Sequence, residues 1–596
     1  MYRSFHAHIG VLASAALFLP LAVAQQNLND QRQSRQKLRP IGTGDEPHIS
    51  QQTLRPGLVI EDNQRVTERM RDSAAQLVYS YPRRGSAGGD GDGWTPGRIS
   101  PFDEGSHPPL YGKDAPGWDG GGSDAIRPGD PCLAAGRDHV VLANNARLKI
   151  YDKAGTPQFE ATWCSFFAPL LPESAVTVDP RIVYDQENDR WIATALAIRI
   201  SDRWTWLLVG VSDDDNPHGV WAKYIFDATL LGGEDLGVRS DFPAVGGTAG
   251  ALVVTTDMMT RDFNVHAYAR ILVLSRTDLL NFQATIAATE IWFRNDPEGF
   301  PVFSLQPALH FGAWDTPLVV HATYGDQMIV YGITDPFGDA NLIATLTSLP
   351  AFEAPPNAAQ PGGIPRLSTV DSRASNVVWR DGALYFAHTI KLNHRAAIRW
   401  YEVDTANWPA TLAITQSGDL AADNAHQWFP SIAVDADRTI MVGFCRSSMD
   451  EYASSFYAYR GARDELGTMR GPFLVKAGVR RYTGETAPVA RWGDYSSTVA
   501  DPAQPRAFWN YNMLPDPADG NLWTTWVQQI ETPQFCPADI DLDGDVDVGD
   551  IGLLLQAFGH CQGEPLFNPL ADIDGDGCVA LVDVTAAIAE FRFGCD

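Results

Sequence analysis

The chain has 596 residues, 44% of them apolar and 20% charged, with a net charge of −28 and a pI of about 4.7. That length holds two or more domains, or one large repeat architecture. The acidic balance excludes nucleic acid and anionic membrane as partners.

The N-terminus reads as a secretory signal over residues 1–24. Arg3 supplies positive charge, Ile9 to Val23 is an apolar run, and Ala22-Val23-Ala24 is a small-residue cleavage site before Gln25. No other stretch is long and apolar enough to span a bilayer. The expected mature protein is soluble, secreted and extracellular. Residues 25–127 are rich in linker composition. Gly88 to Gly93 and Gly117 to Gly122 are crowded with glycine and aspartate, as in flexible coil or long loops. Within this region Gln64 to Tyr79 has the pattern of a helix leading into a strand.

From 128 to 532 short β-branched and aromatic runs alternate with polar turns. A unit recurs: a small strand, often beginning at or near proline, a short polar turn, then a stronger apolar strand. Examples are Pro180 to Asp185 followed by Arg190 to Thr194, and Pro430 to Asp435 followed by Ile440 to Phe444. Seven such units occur, roughly 50 to 70 residues apart, each with room for two further strands. After the second unit these are Trp204 to Ser212 and Trp221 to Phe226. Four antiparallel strands repeated around an axis make a mainly β fold, a β-propeller. Seven blades are favoured, with six or eight admitted. A pair of β-sandwiches is the competing arrangement.

Ser212-Asp-Asp-Asp215-Asn-Pro-His-Gly219-Val-Trp221 loosely resembles the Asp-box turn of sialidases and related propellers, with stretched spacing. That resemblance implies a structural hairpin turn. The arginine start motif of a sialidase is missing, although Arg181, Arg270, Arg399 and Tyr495 are present singly. Asp241 and Asp494 stand at the start of innermost strands, facing the channel. A carboxylate pair there is able to perform acid/base work on a glycoside, or else to bind backbone amides. The sequence has no Gly-x-Ser-x-Gly elbow, His-Glu-x-x-His, phosphate-binding glycine loop or Cys-x-x-Cys. His310, His321, His388 and His426 are scattered and read as packed residues. Trp191, Trp204, Trp206, Trp221, Trp428 and Trp509 read mostly as core between blades.

The last sixty residues, 536–596, are of a different kind. Two acidic loops start 33 residues apart, at Asp539 and Asp572. A calcium ion takes six to eight oxygens, and a twelve-residue loop supplies them from positions 1, 3, 5, 7, 9 and 12 around a glycine at 6. The first loop offers Asp539, Asp541, Asp543, the Asp545 carbonyl, Asp547 and Asp550, with Gly544 at the turn. The second offers Asp572, Asp574, Asp576, the Cys578 carbonyl and Asp583, with Gly577 at the turn and Ala580 at position 9. Ile551, Leu554, Leu555 and Phe558 follow the first loop, and Val584, Ala587, Ile588 and Phe591 the second, at the spacing of one apolar helix face. Prolines before each loop disfavour an entering helix.

A loop and exit helix, duplicated, with aspartate at position 12, resembles the type I dockerin module. The resemblance implies two Ca²⁺ ions that fold a small all-α unit, and docking onto a cohesin-like or cell-surface protein, most often for polysaccharide breakdown. Positions 10 and 11, which contact cohesin in that family and are often Ser or Thr there, are Val548-Gly549 and Leu581-Val582 here.

Seven cysteines are present, and export permits disulfides. Cys536–Cys561 and Cys578–Cys595 are the pairings expected in the tail, Cys132–Cys164 is admitted, and Cys445 is left over and buried. Two functions remain open. One is a binding and attachment protein with a glycan ligand. The other is a glycoside hydrolase or lyase with its active site in the propeller channel.

Overall fold

The computed structural model describes residues 47–67, 115–122, 127–322, 325–484, 488–532, 536–541 and 546–591. The signal segment, Gly88 to Gly93 and most of Gln64 to Tyr79 lie outside the described residues. Among the described residues no helix is long and apolar enough to cross a membrane.

Residues 132–531 form seven four-stranded antiparallel blades. Blade 1 runs from Cys132–Ala135 to Pro157–Thr162, blade 2 from Ala175–Asp185 to Val220–Asp227, and blade 3 from Val238–Gly247 to Ile286–Phe293. Blade 4 spans Gln306–Phe311 to Asn341–Ser348, blade 5 Ala374–Arg380 to Ala413–Leu420, and blade 6 His426–Val434 to Arg470–Lys476. Blade 7 has Ser497–Ala500, Ala507–Pro515 and Trp523–Glu531, and takes its outermost strand, Gly117–Asp119, from before blade 1.

The ring follows from alternation along each strand. In Ala251–Thr260, Leu252 and Val254 pack toward blade 2, while Ala251 and Val253 pack toward blade 4. In blade 5, Val377 and Leu384 face blade 4, and Val378 and Tyr385 face blade 6. Each blade therefore carries two apolar faces, and a separate core lies between each pair of neighbours. The last of these joins Leu133, Val140 and Leu142 of blade 1 to Trp509, Tyr511 and Val527 of blade 7. The innermost strands touch in sequence all the way round, and Leu133 N–H donates to Ser497 Oγ at 3.0 Å where the ring closes.

The N-terminal part contributes more than coil. His48–Leu54 adds a fifth strand to blade 3, and Gly57–Asp62 adds one to blade 2. The second is pinned by Lys223, fully buried, whose Nζ donates to Glu61 Oε1 at 2.6 Å and to the Phe166 carbonyl at 2.8 Å. The Asp-box-like stretch is a hairpin turn in blade 2: Asp213 Oδ1 accepts Val220 N–H at 2.9 Å, and Trp191 Nε1 donates to the Asp215 carbonyl at 2.7 Å. Trp191, Trp221, Trp428 and Trp509 are fully buried, and His310, His321, His388 and His426 are buried as well.

Lys223→Ala leaves Glu61 charged and buried, so a loss of about 3–5 kcal/mol is expected in urea unfolding. The pair Lys223→Met with Glu61→Leu regains most of it.

Candidate functional site

Two places gather polar groups: the mouth of the propeller channel and the C-terminal acidic loops. At the mouth, each innermost strand carries a left-handed residue, either within it or shortly before it. These are Asp130, Asp179, Phe242, Ser304, Val370 and Phe429, with φ between 48° and 57°, and Gly493 in blade 7. Such conformations are costly for residues other than glycine and persist where surrounding structure fixes them. Register shifts follow in several of these strands, between Val178 and Arg181, Asp241 and Ala244, and Trp428 and Ser431. The kink turns side chains from separate blades toward the axis.

Four of these side chains meet. The Arg373 guanidinium lies 4.2 Å over the Phe242 ring, Phe242 and Tyr495 have ring centroids 5.1 Å apart, and Arg181 lies 3.4 Å over Tyr495. They come from blades 5, 3, 7 and 2, so the stack crosses the mouth. Arg373 is held by Asp371 at 2.7 and 2.6 Å, and Arg181 Nε donates to the Pro243 carbonyl at 3.0 Å.

Carboxylates surround this stack. Asp494 pairs with Arg491, and Asp241 with Arg239 at 3.1 Å. Asp494 N–H donates to Asp130 Oδ1 at 2.7 Å, and Asn145 donates to Asp130 Oδ2 at 2.7 Å while accepting Asp179 N–H at 2.8 Å. Burial, then the charge of Asp494, pushes Asp130 up to about 7. Burial, then Asp241, Asp130 and Asp494, holds Asp179 well above the usual carboxylate range. Asp257 is raised to about 7 by burial; it accepts Ser304 N–H at 2.7 Å and faces Ser304 Oγ at 3.2 Å.

The two acids expected from sequence thus share one neighbourhood, centred on Asp179. Neither bonds a backbone amide across the channel: Asp241 accepts only the adjacent Phe242 N–H, besides Arg239. Of the arginines noted, Arg181 alone reaches the mouth. Arg270 is paired with Glu290 at 2.7 Å and Arg399 with Asp419, both away from it. Asp130, Asp179 and Asp257 were not foreseen. For the first two the signal available was an aspartate before proline, in Asp130-Pro131 and Asp179-Pro180; Asp257, in the second strand of blade 3, carries no such mark.

In the C-terminal module the exit helices are Val548–Ala557 and Leu581–Phe591. Position 12 does the same work in both repeats. Asp550 Oδ1 accepts Ile540 and Asp541 N–H at 2.5 and 3.1 Å, and its Oδ2 accepts Asp547 N–H at 2.8 Å. Asp583 Oδ1 accepts Ile573 and Asp574 N–H at 2.7 and 3.1 Å, and its Oδ2 accepts Ala580 N–H at 2.6 Å. Asp539, Asp541 and Asp550 bring one oxygen each within 4.8 Å of one another, and so do Asp572, Asp574 and Asp576. Asp543 and Asp545 lie outside the described residues. Asp547 caps the first helix, accepting Gly549 N–H at 2.6 Å. Asp572 Oδ1 is buried with no hydrogen-bond partner. An all-oxygen donor set with an orphaned buried oxygen fits a hard divalent cation. Such an ion would supply charge neutralisation to the crowded carboxylates of each loop.

The module core repeats at the same offset, with Ala538 and Ala571, Val546 and Val579, and Leu554 and Ala587 all buried. Only part of the expected apolar face is covered. Leu555 and Ile588 are 60% and 55% exposed, and Phe558 and Phe591 are exposed beside them. A two-helix unit has room for a narrow stripe only.

The cysteine pairing differs from expectation. Cys561 is bonded to Cys578, joining the end of the first helix to the second loop, and Cys536 is bonded to a partner outside the described residues. The reason is local: Cys561 and Cys578 face each other in an antiparallel bridge, with Gly559 N–H on the Val579 carbonyl at 2.8 Å. Cys132 and Cys164 are free thiols, and Cys445 is free and buried.

No family model matches the sequence, and no curated protein matches it. Among solved structures, the chain is similar to phage phi92 endosialidase, at TM-score 0.32 and 9% identity over 68% of this chain and 67% of that one. It is similar to Trypanosoma rangeli sialidase at TM-score 0.33 and 10% identity, over 64% of this chain and 57% of that one. Native Bacillus subtilis arabinanase Arb43A aligns at TM-score 0.25 and 9% identity, over 69% and 97%. The chain thus spans less than two thirds of the Trypanosoma enzyme. Likeness at this level concerns strand architecture alone.

The proton on Asp257 gives a pH test. Its carboxyl ionises near 7 when folded, against an ordinary value of 3.8. Between those values the folded chain holds a proton that the unfolded chain has released, so stability falls as pH rises through that window and is level above it. Asp257→Asn keeps both contacts to Ser304 and removes this dependence. The variant is expected to match the parent near pH 4 and to exceed it by ~1–3 kcal/mol at pH 8 in urea titrations.

Proposed function

We propose that this chain is an exported attachment protein. Its C-terminal module folds around two calcium ions and docks to a protein partner outside the cell, while the propeller presents a surface to extracellular polysaccharide. The observation that carries the reading is the matched pair of carboxylate loops, each closed by its position-12 aspartate and each leading into a short helix. The exposed pairs Leu555 and Ile588, and Phe558 and Phe591, support a docking role, since apolar side chains left uncovered at equivalent places mark contact surfaces. Their apolar character, with Val548 and Leu581 at position 10, favours a partner that meets them with apolar groups.

A second reading, a glycoside hydrolase, is favoured by one observation. Asp179 lies beside Asp241 and Asp494, burial and those charges hold its carboxyl well above the usual carboxylate range, and an acid so raised next to other carboxylates is the equipment for glycoside cleavage. In that reading Asp179 is the acid.

Calorimetry of the mature protein with calcium tests the first reading. Two binding events are expected, and chelation should expose residues 536–591 to protease while the propeller stays intact. Asp572→Asn together with Asp574→Asn should remove one event. A protein that takes up no calcium, or a tail equally resistant after chelation, sinks the reading. A glycan array with product analysis separates the two: binding without products supports attachment, and products lost in Asp179→Asn support the hydrolase.

A further inference from the structure

The innermost strands enclose a cavity of about 110 Å³ below the Arg181–Tyr495–Phe242–Arg373 stack. Register fixes its uppermost layer. Gly247 is level with Leu309, and Ala308 with Val377, so Ala244, Gln306 and Ser375 share one height. Arg181 and Ser431 follow the same register shift as Ala244 and join that layer. Elsewhere the lining is mainly apolar, with residues such as Val183, Val245, Leu309 and Val499. Val183, Leu309, Phe311 and Val499 remain partly exposed, so the channel reaches solvent at the strand ends away from the mouth.

Two features of this cavity are unmatched. Arg181 is the one charged side chain among the described residues that line it. Its Nη2 is buried without a hydrogen-bond partner, and so is Nε2 of Gln306, a residue only 3% exposed. Buried N–H groups left unmet cost free energy, and an acceptor placed against them recovers it. A cation at a closed polar end above a hydrocarbon wall is complementary to an amphiphile with an anionic head. The volume is roughly that of four waters, which sets a short tail.

We propose that the channel binds a short-chain carboxylate. Its carboxylate accepts hydrogen bonds from Arg181 and Gln306, and its hydrocarbon tail points down between the valines. Arg181 borders both this cavity and Asp179 above it, and the proposal does not depend on the attachment reading. Water alone in the channel is the competing occupant.

Titration of the full mature protein with butyrate, with butan-1-ol as the uncharged control, tests it by calorimetry at pH 7. One saturable butyrate site is expected, with butanol at least about tenfold weaker. Gln306→Leu should weaken butyrate about tenfold and leave the stack in place. Val183→Phe should fill the cavity and abolish binding. Absence of saturable butyrate binding in the parent, equal affinity in Val183→Phe, or butanol binding as tightly as butyrate overturns the proposal.

Discussion

A four-stranded sheet with two apolar faces has no stable existence alone, and this constraint governs the molecule. Each blade exposes alternating rows of apolar side chains on both sides, as Leu252 and Val253 do in blade 3. Stacking in an open row would leave two faces wet, while a closed ring leaves none. Closure then becomes the critical contact. It is made by the core between blades 7 and 1 and by Gly117–Asp119, which completes the last blade from the other end of the chain. Trp118 of that strand packs on Tyr151 of blade 1 and Trp509 of blade 7, at 5.2 and 5.6 Å between ring centroids. One short strand thus ties both partners of the closing interface.

Closure also creates the mouth. Parallel innermost strands converge on an axis, and their first residues have nowhere to point except at one another. The chain resolves this crowding with aromatic rings and guanidinium groups, which stack flat and make contacts in several directions. The same crowding forces acids together. Burial and neighbouring carboxylates disfavour further charge, which pushes Asp130 and Asp257 up to about 7 and raises Asp179 well above the usual carboxylate range. The Arg181–Tyr495–Phe242–Arg373 stack lies between these acids and the channel, and Arg181 borders both.

How much of this was legible depended on the range of the interaction. The first two strands of every blade were readable because turn and β-branched run, often with proline before them, are neighbours in sequence. The position-12 aspartates were readable because a metal loop is twelve consecutive residues. The mouth was not, since Asp130 and Asp494 are 364 residues apart and meet only when the ring shuts. The strands at His48–Leu54, Gly57–Asp62 and Gly117–Asp119 were hidden for a related reason. Gly117-Trp-Asp119 has no strand pattern of its own and is extended because it pairs with the otherwise open edge of blade 7. Disulfide pairing was hidden too, because repeat symmetry suggested one bond per repeat while backbone pairing places Cys561 against Cys578.

The C-terminal module shows what duplication does and does not preserve. The bonds from Asp550 and Asp583 to their loops are the same, residue for residue, because loop closure needs them. Position 9 differs, with Asp547 in one loop and Ala580 in the other, yet the backbone N–H there donates to the position-12 carboxylate in both. The retained element is therefore the amide, and the side chain at that place is free to vary. The exposed apolar positions on the helices make no bond that the fold requires, and still remain apolar in both copies. Loop geometry gives no reason for that. The docking surface proposed above gives one, since apolar side chains left uncovered at equivalent places mark contact surfaces.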